Sequence, residues 1–223
     1  MTVQTDYPDG FPRETCPGSL NVIVEEALAK FPGAIDSYII AQTKRVADQF
    51  FRRSLCWRSL LGPYSVAAGQ DALSVNPADS YSRMCMVLGV LVNGRPIFFT
   101  DAMTAAQTIS TSAVPFACYT EPYDILHFTP APSSPLDAVV VNAALVPIWT
   151  DATVPEWVIE QHYDALLVGL FARMYGEPAK PYTSMSLYES NNRRFRAEIA
   201  TARITADLNY TRSSRGIKFP PWA

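Results

Sequence analysis

The chain has 223 residues and a mass of 24.6 kDa, room for one large domain or two small ones. Hydrophobic residues reach 48% and charged residues only 17%, which excludes an intrinsically disordered chain and suits a protein that covers much of its exterior with partners. The net charge of −3 is unevenly spread: residues 1–59 carry seven cations and seven anions, 60–192 four and twelve, and 193–223 seven and two, so the main body is acidic where that of a typical nucleic-acid binder is basic.

In chain order, Pro8, Pro12 and Pro17 give an extended lead-in, and a short helix from Leu20 to Phe31 is stopped by Pro32 and Gly33. Ile39, Thr43, Val46 and Phe50 recur at the spacing of one helical face and predict a helix over 35–54, with Lys44, Arg45, Asp48, Arg52 and Arg53 toward its other faces. Between Cys56 and Trp149 the pattern changes to short β-rich runs. Ser82 to Val92, Asn93-Gly94 and Arg95 to Phe99 read as a hairpin, because Asn-Gly accepts the positive φ angles of a type I′ turn, and Pro96 places the second strand at an edge. Asp101 caps a short helix to Thr108, and strands follow at 115–120, 124–129 and 137–147.

Helical spacing returns after Thr153, which with Glu156 forms a capping-box pattern. Ile159, Tyr163, Leu166, Leu167, Leu170, Phe171 and Met174 make the apolar stripe, and Gly169 within it lets a neighbour approach closely. Ser186 with Glu189 caps a last helix to Leu208, with Leu187, Phe195, Ile199, Ala202 and Ala206 on its inner face. The expected fold is therefore α+β: a helical bundle of sequence-distant helices with an inserted antiparallel β-sheet or sandwich. Residues 1–32 form the lead-in, 33–55 and 150–208 the bundle, 56–149 the inserted β-rich domain, and 209–223 an extended basic arm.

Chemistry-bearing motifs are sparse. Cys16, Cys56, Cys85 and Cys118 lack any Cys-x-x-Cys spacing and read as reduced fillers rather than zinc ligands or disulfides. No apolar run approaches the ~20 residues of a membrane helix, and no leader pattern opens the chain, so neither export by signal peptide nor membrane insertion is expected. His162 lacks a second histidine at i+4 and reads as a surface or interface residue. His127 follows Asp124 by three positions in a strand, which sets the two on opposite faces. A small cytoplasmic hydrolase using Asp124 and His127, with Ser133 as nucleophile, is the alternative of another class. Glu156, Glu160 and Asp164 read as a solvated face. No catalytic, cofactor or metal residue is assigned, and no enzymatic activity is expected. The informative polar feature is the carboxyl-terminal region: Arg193 and Arg194 on the last helix, then Arg212, Arg215 and Lys218 with the bulky anchors Phe219 and Trp222, a composition suited to a partner's groove.

The runs RVADQFFRRSLCWR, PYSVAAGQDALSV, VLVNGRPI and HYDALLVGLFARMYGEPAKPYTSMSLYESNNRRFRAEIATAR, in this order and spacing across residues 33–219, resemble the head-to-tail adaptor (connector) proteins of short-tailed bacteriophages. The resemblance implies a structural virion protein at the head-tail junction, assembled in the host cytoplasm, with the portal protein and tail or nozzle proteins as partners. It also implies a homo-oligomeric ring of about twelve copies, through whose channel DNA passes without specific binding, and a carboxyl-terminal arm that engages the portal or a neighbouring subunit. A tail completion or nozzle component of the same virion is the alternative within that class. Acidic residues of the 60–192 region on the channel wall would repel DNA phosphates and let the genome slide.

Overall fold

The computed structural model describes residues 17–107, 114–115, 117–121, 124–148 and 153–208. A short strand β1 (Pro17–Ser19) leads into helices α1 (Asn21–Lys30) and α2 (Asp36–Ser54). Seven strands follow: β2 (Arg58–Val66), β3 (Ala72–Ser74), β4 (Ser82–Val92), β5 (Arg95–Phe99), β6 (Ala117–Thr120), β7 (Ile125–Thr129) and β8 (Leu136–Pro147), with helix α3 (Ala102–Gln107) between β5 and β6. Strand β9 (Thr153–Pro155) and the long helices α4 (Glu156–Tyr175) and α5 (Met185–Asp207) close the described chain.

The seven strands β2–β8 form one mixed sheet in the order β2-β8-β4-β5-β6-β7-β3, antiparallel throughout except for the parallel pair β5–β6. It curls until it is nearly closed like a barrel. Its two edge strands, β2 and β3, are joined by the turn after Val66, and the Tyr64 hydroxyl on β2 donates to the Asn76 carbonyl just past β3 at 2.9 Å. This overturns the expected helical bundle carrying an inserted antiparallel sheet. The sheet is the organising body, and the helices are applied to it.

The physical reason lies in β8. Residues 143–147 are buried without interruption, a pattern possible only where both faces of a strand are covered. Helix α2 packs against this strand, and one continuous core takes in Ile39, Val46, Phe50 and Phe51 of α2, Val139, Val141 and Leu145 of β8, and Leu166 and Leu170 of α4. An aromatic chain spans the junction: Phe51 meets Trp57 edge-on with ring centroids 5.7 Å apart, and Trp57 stacks on Tyr81 at 6.4 Å. Helices and strands thus share their interior.

Local chemistry explains the individual elements. Asn93 and Gly94 adopt φ of 50° and 77°, as the β4–β5 hairpin requires. Pro96 pairs with Leu91 of β4, while parallel β6 reaches only Phe98 and Phe99, so the proline lies where β5 has a single neighbour. The Asp101 carboxylate caps α3, accepting the Thr104 amide and hydroxyl, both at 2.8 Å. Two expected caps fall elsewhere: Thr153 is a strand residue paired with Ser19, leaving Pro155 ahead of α4, and α5 begins after Ser184. Leu187, expected inward, is exposed, whereas Phe195, Ile199, Ala202 and Ala206 are buried.

Helices α2, α4 and α5 meet at Gly169, where an added Cβ would stand 2.6 Å from the Phe195 ring and 2.7 Å from Val46. Gly169→Ala is expected to lower stability by about 1–2 kcal/mol, overpacking outweighing the gain in helix propensity. Urea unfolding of the pair measures this, and an unchanged or raised midpoint would mean that the three helices can move apart freely.

Candidate functional site

The sequence-predicted partner residues divide between the described and undescribed parts. Arg212, Arg215, Lys218, Phe219 and Trp222 lie outside the described residues. Arg193 and Arg194 are exposed on α5, just ahead of Phe195 and Ile199, which the helix buries in the core. Arg58 secures the end of that helix: its guanidinium pairs with Asp207, donates to the Ala206 carbonyl at 2.8 Å and, through Nε, to the Leu55 carbonyl at 2.9 Å. The last turn of α5, immediately before the basic arm in the chain, is thereby tied to the end of α2 and the start of β2.

The alternative hydrolytic residues are placed as follows. His127 sits on β7 with its ring stacked on Tyr119, centroids 4.9 Å apart, and its Nε2 is 3.0 Å from the Glu121 carbonyl oxygen. Asp124, in the turn before β7, accepts the Val75 amide through its backbone and lines a cavity of about 250 Å³ with Asn76, Asp79, Ser82 and Arg83. The structure therefore gives these two residues separate partners. Ser133 lies in the exposed loop ahead of β8. Among the described residues, no group of three or more His, Cys, Asp or Glu side chains converges as a metal site would require, and no helix is long and apolar enough to cross a membrane.

His162 corrects the expectation of a surface or interface position. It is 8% exposed, with its ring 5.1 Å from that of Phe50 and its Nε2 without a hydrogen-bond partner. Its own φ and ψ, −122° and 17°, kink α4 at this point. Cys56 and Cys118 are buried, their thiols pushed up to about 11 and about 12 by that burial, so they are poor nucleophiles. The carboxylates of Glu156, Glu160 and Asp164 are exposed, and Tyr163 beside them bonds Glu26 of α1. That bond, with burial, raises the phenol to about 12.

One constellation was missed by sequence reasoning. Arg45, Asp48, Gln49, Arg52 and Arg53 of α2 and Arg173 of α4 line an open cleft of about 340 Å³. Among the described residues Asp48 is its single carboxylate and is shared, 3.0 Å from Arg52 and 3.1 Å from Arg83 of β4. Arg173 is half-buried and rests on neutral amides, 2.9 Å from Gln49 Oε1 and 3.4 Å from the buried Gln42 Oε1. Burial and, after it, the repulsion of Arg45 hold the Arg173 pKa below its ordinary value. The available signal was the Arg45, Asp48, Gln49, Arg52 stripe at i, i+3, i+4, i+7; the convergence of Arg83 and Arg173 on it needed the tertiary structure.

A scan against protein-family models finds no match, and a search of curated proteins finds no relative.

His162 generates a pH prediction. Burial lowers its pKa from 6.5 to about 4, so below about 6.5 the unfolded chain binds a proton that the folded chain refuses. Stability is expected to fall by up to about 1.4 kcal/mol per pH unit between roughly 6.5 and 4, with no contribution above that interval. Urea midpoints at pH 7 and pH 5 measure the fall, and His162→Leu should shrink it; an equal fall in the variant would assign it to other groups.

Proposed function

We propose that the chain is a structural subunit of a head-to-tail adaptor ring, joining the portal to tail components of a short-tailed phage particle. The observation that carries this reading is apolar surface left open on separate elements. Phe98 on β5 is 80% exposed and Met103 on α3 is 73% exposed, while Met185, Leu187, Ile204 and Leu208 are exposed along α5. A ring subunit needs apolar anchors on more than one side, because each lateral contact is heterologous and the axial faces meet different proteins. The low charge content and the order of sequence runs across residues 33–219 support the same reading.

In this role the exposed apolar side chains supply the contact energy and Arg193, Arg194 and the arm supply orientation toward an acidic or polar partner surface. Phe98→Ser combined with Met103→Ser should leave the fold intact, since both side chains already face solvent. The double variant is expected to raise the concentration needed for ring formation by about tenfold or more in sedimentation experiments. Deletion of residues 209–223 should yield heads that fill with DNA but shed their tails, seen by negative-stain microscopy of particles. A purified chain that stays monomeric with and without portal would overturn the reading.

A further inference from the structure

We infer that the arginine cleft between α2, α4 and β4 is a binding site for the phosphate backbone of duplex nucleic acid, read without regard to sequence. Four guanidiniums, those of Arg45, Arg52, Arg53 and Arg173, line the cleft with Asp48, and a fifth, Arg83 of β4, pairs with Asp48 beside Arg52. Arg173 is half-buried yet, among the described residues, its side chain rests on the amides of Gln42 and Gln49 rather than on a carboxylate, so its charge is partly stripped of water. Arg45 and Arg53 are exposed and carry no ion pair among the described residues. The pairs that Arg52 and Arg83 make with Asp48 offset only part of this like charge, and the remainder is balanced by a ligand that brings negative charge.

The lining decides between an acidic protein and a nucleic acid. Among the described residues the cleft wall holds six polar or charged side chains and no aromatic or aliphatic one, whereas protein partners draw their binding energy mainly from buried apolar and aromatic anchors. A phosphate backbone needs only charge and donors, and planar guanidiniums bind its oxygens in pairs. Duplex charge is also dense, one per about 1.7 Å of axis against one per roughly 3.3 Å for an extended peptide that is acidic at every position. The stripe from Arg45 to Arg52 runs about 10 Å along α2, enough to meet several phosphates at once. The charge is local: the cleft stays basic although residues 60–192 are acidic in sum. It does not depend on ring assembly, and its test is separate from that of the adaptor reading.

The experiment measures binding of the full-length chain to a fluorescent 20-base-pair duplex of mixed sequence by anisotropy, from 50 to 200 mM salt. Arg45→Gln with Arg53→Gln is expected to weaken binding at least tenfold at low salt and to reduce the slope of log K against log salt by about two. Arg95→Gln with Lys180→Gln, an equal loss of charge elsewhere on the surface, should change affinity less than twofold. In parallel, duplex should protect Arg45 and Arg53 of the unsubstituted protein from phenylglyoxal, a readout independent of how any variant folds. Parent-like duplex binding by the Arg45, Arg53 variant, or absence of protection, would overturn the inference. Protection by a poly-glutamate peptide as strong as that by duplex would overturn it in favour of an acidic protein segment.

Discussion

Burial of strand β8 on both faces is the constraint from which the architecture follows. A strand buried on one side can serve a sheet that sits beside a helical domain, but a strand whose residues 143–147 are all buried must be sandwiched. β2 and β4 flank it laterally, and α2 packs against it. Each fully buried Val or Leu contributes about 1.5–3 kcal/mol of transfer free energy, so β8 and its cover weigh more than any surface contact. With α2 committed to β8, α4 and α5 must cover the remaining face of α2. Gly169 is the point where that stacking leaves no room even for a methyl group.

Much of the local structure was legible because its causes are local. The Asn93-Gly94 turn, the Asp101 cap and the period of Ile39, Thr43, Val46 and Phe50 each depend on residues within a few positions of one another. The overall architecture was not legible, because the parallel β5–β6 pairing and the pairing of β2 with β8 join strands that a local pattern cannot match. Thr153 shows the conflict directly: its spacing to Glu156 matches a capping box, yet pairing with Ser19 claims it for β9. His162 shows a second kind of failure. A histidine on a helix is commonly exposed, and only the kink in α4 and the neighbouring Phe50 ring reveal that this one is buried.

The candidate surfaces were legible in unequal measure. Charge summed over segments marked the carboxyl-terminal region as basic, and Arg193 and Arg194 do stand exposed there. The same sums made residues 1–59 neutral and hid the cleft, because, among the described residues, most anions of that segment do not line it with its arginines. Glu25 and Glu26 are on α1, while among the described anions Asp48 stays with Arg45, Arg52 and Arg53, and Arg83 and Arg173 both arrive from the 60–192 segment, whose total is acidic. Folding sorts charge by position in space, which linear bookkeeping averages away.

That sorting separates two kinds of surface with different physics. Phe98, Met103 and the exposed side chains of α5 offer apolar area, whose association energy is nearly indifferent to salt. The arginine cleft offers charge without apolar area, and its interactions weaken steeply as ionic strength rises. A subunit that holds protein neighbours through the first and touches a passing polyanion through the second can keep its assembly intact while its electrostatic contacts form and break. In the role proposed, charged anchors would be a liability, because the conditions that released a polyanion would also loosen the contacts between protein neighbours.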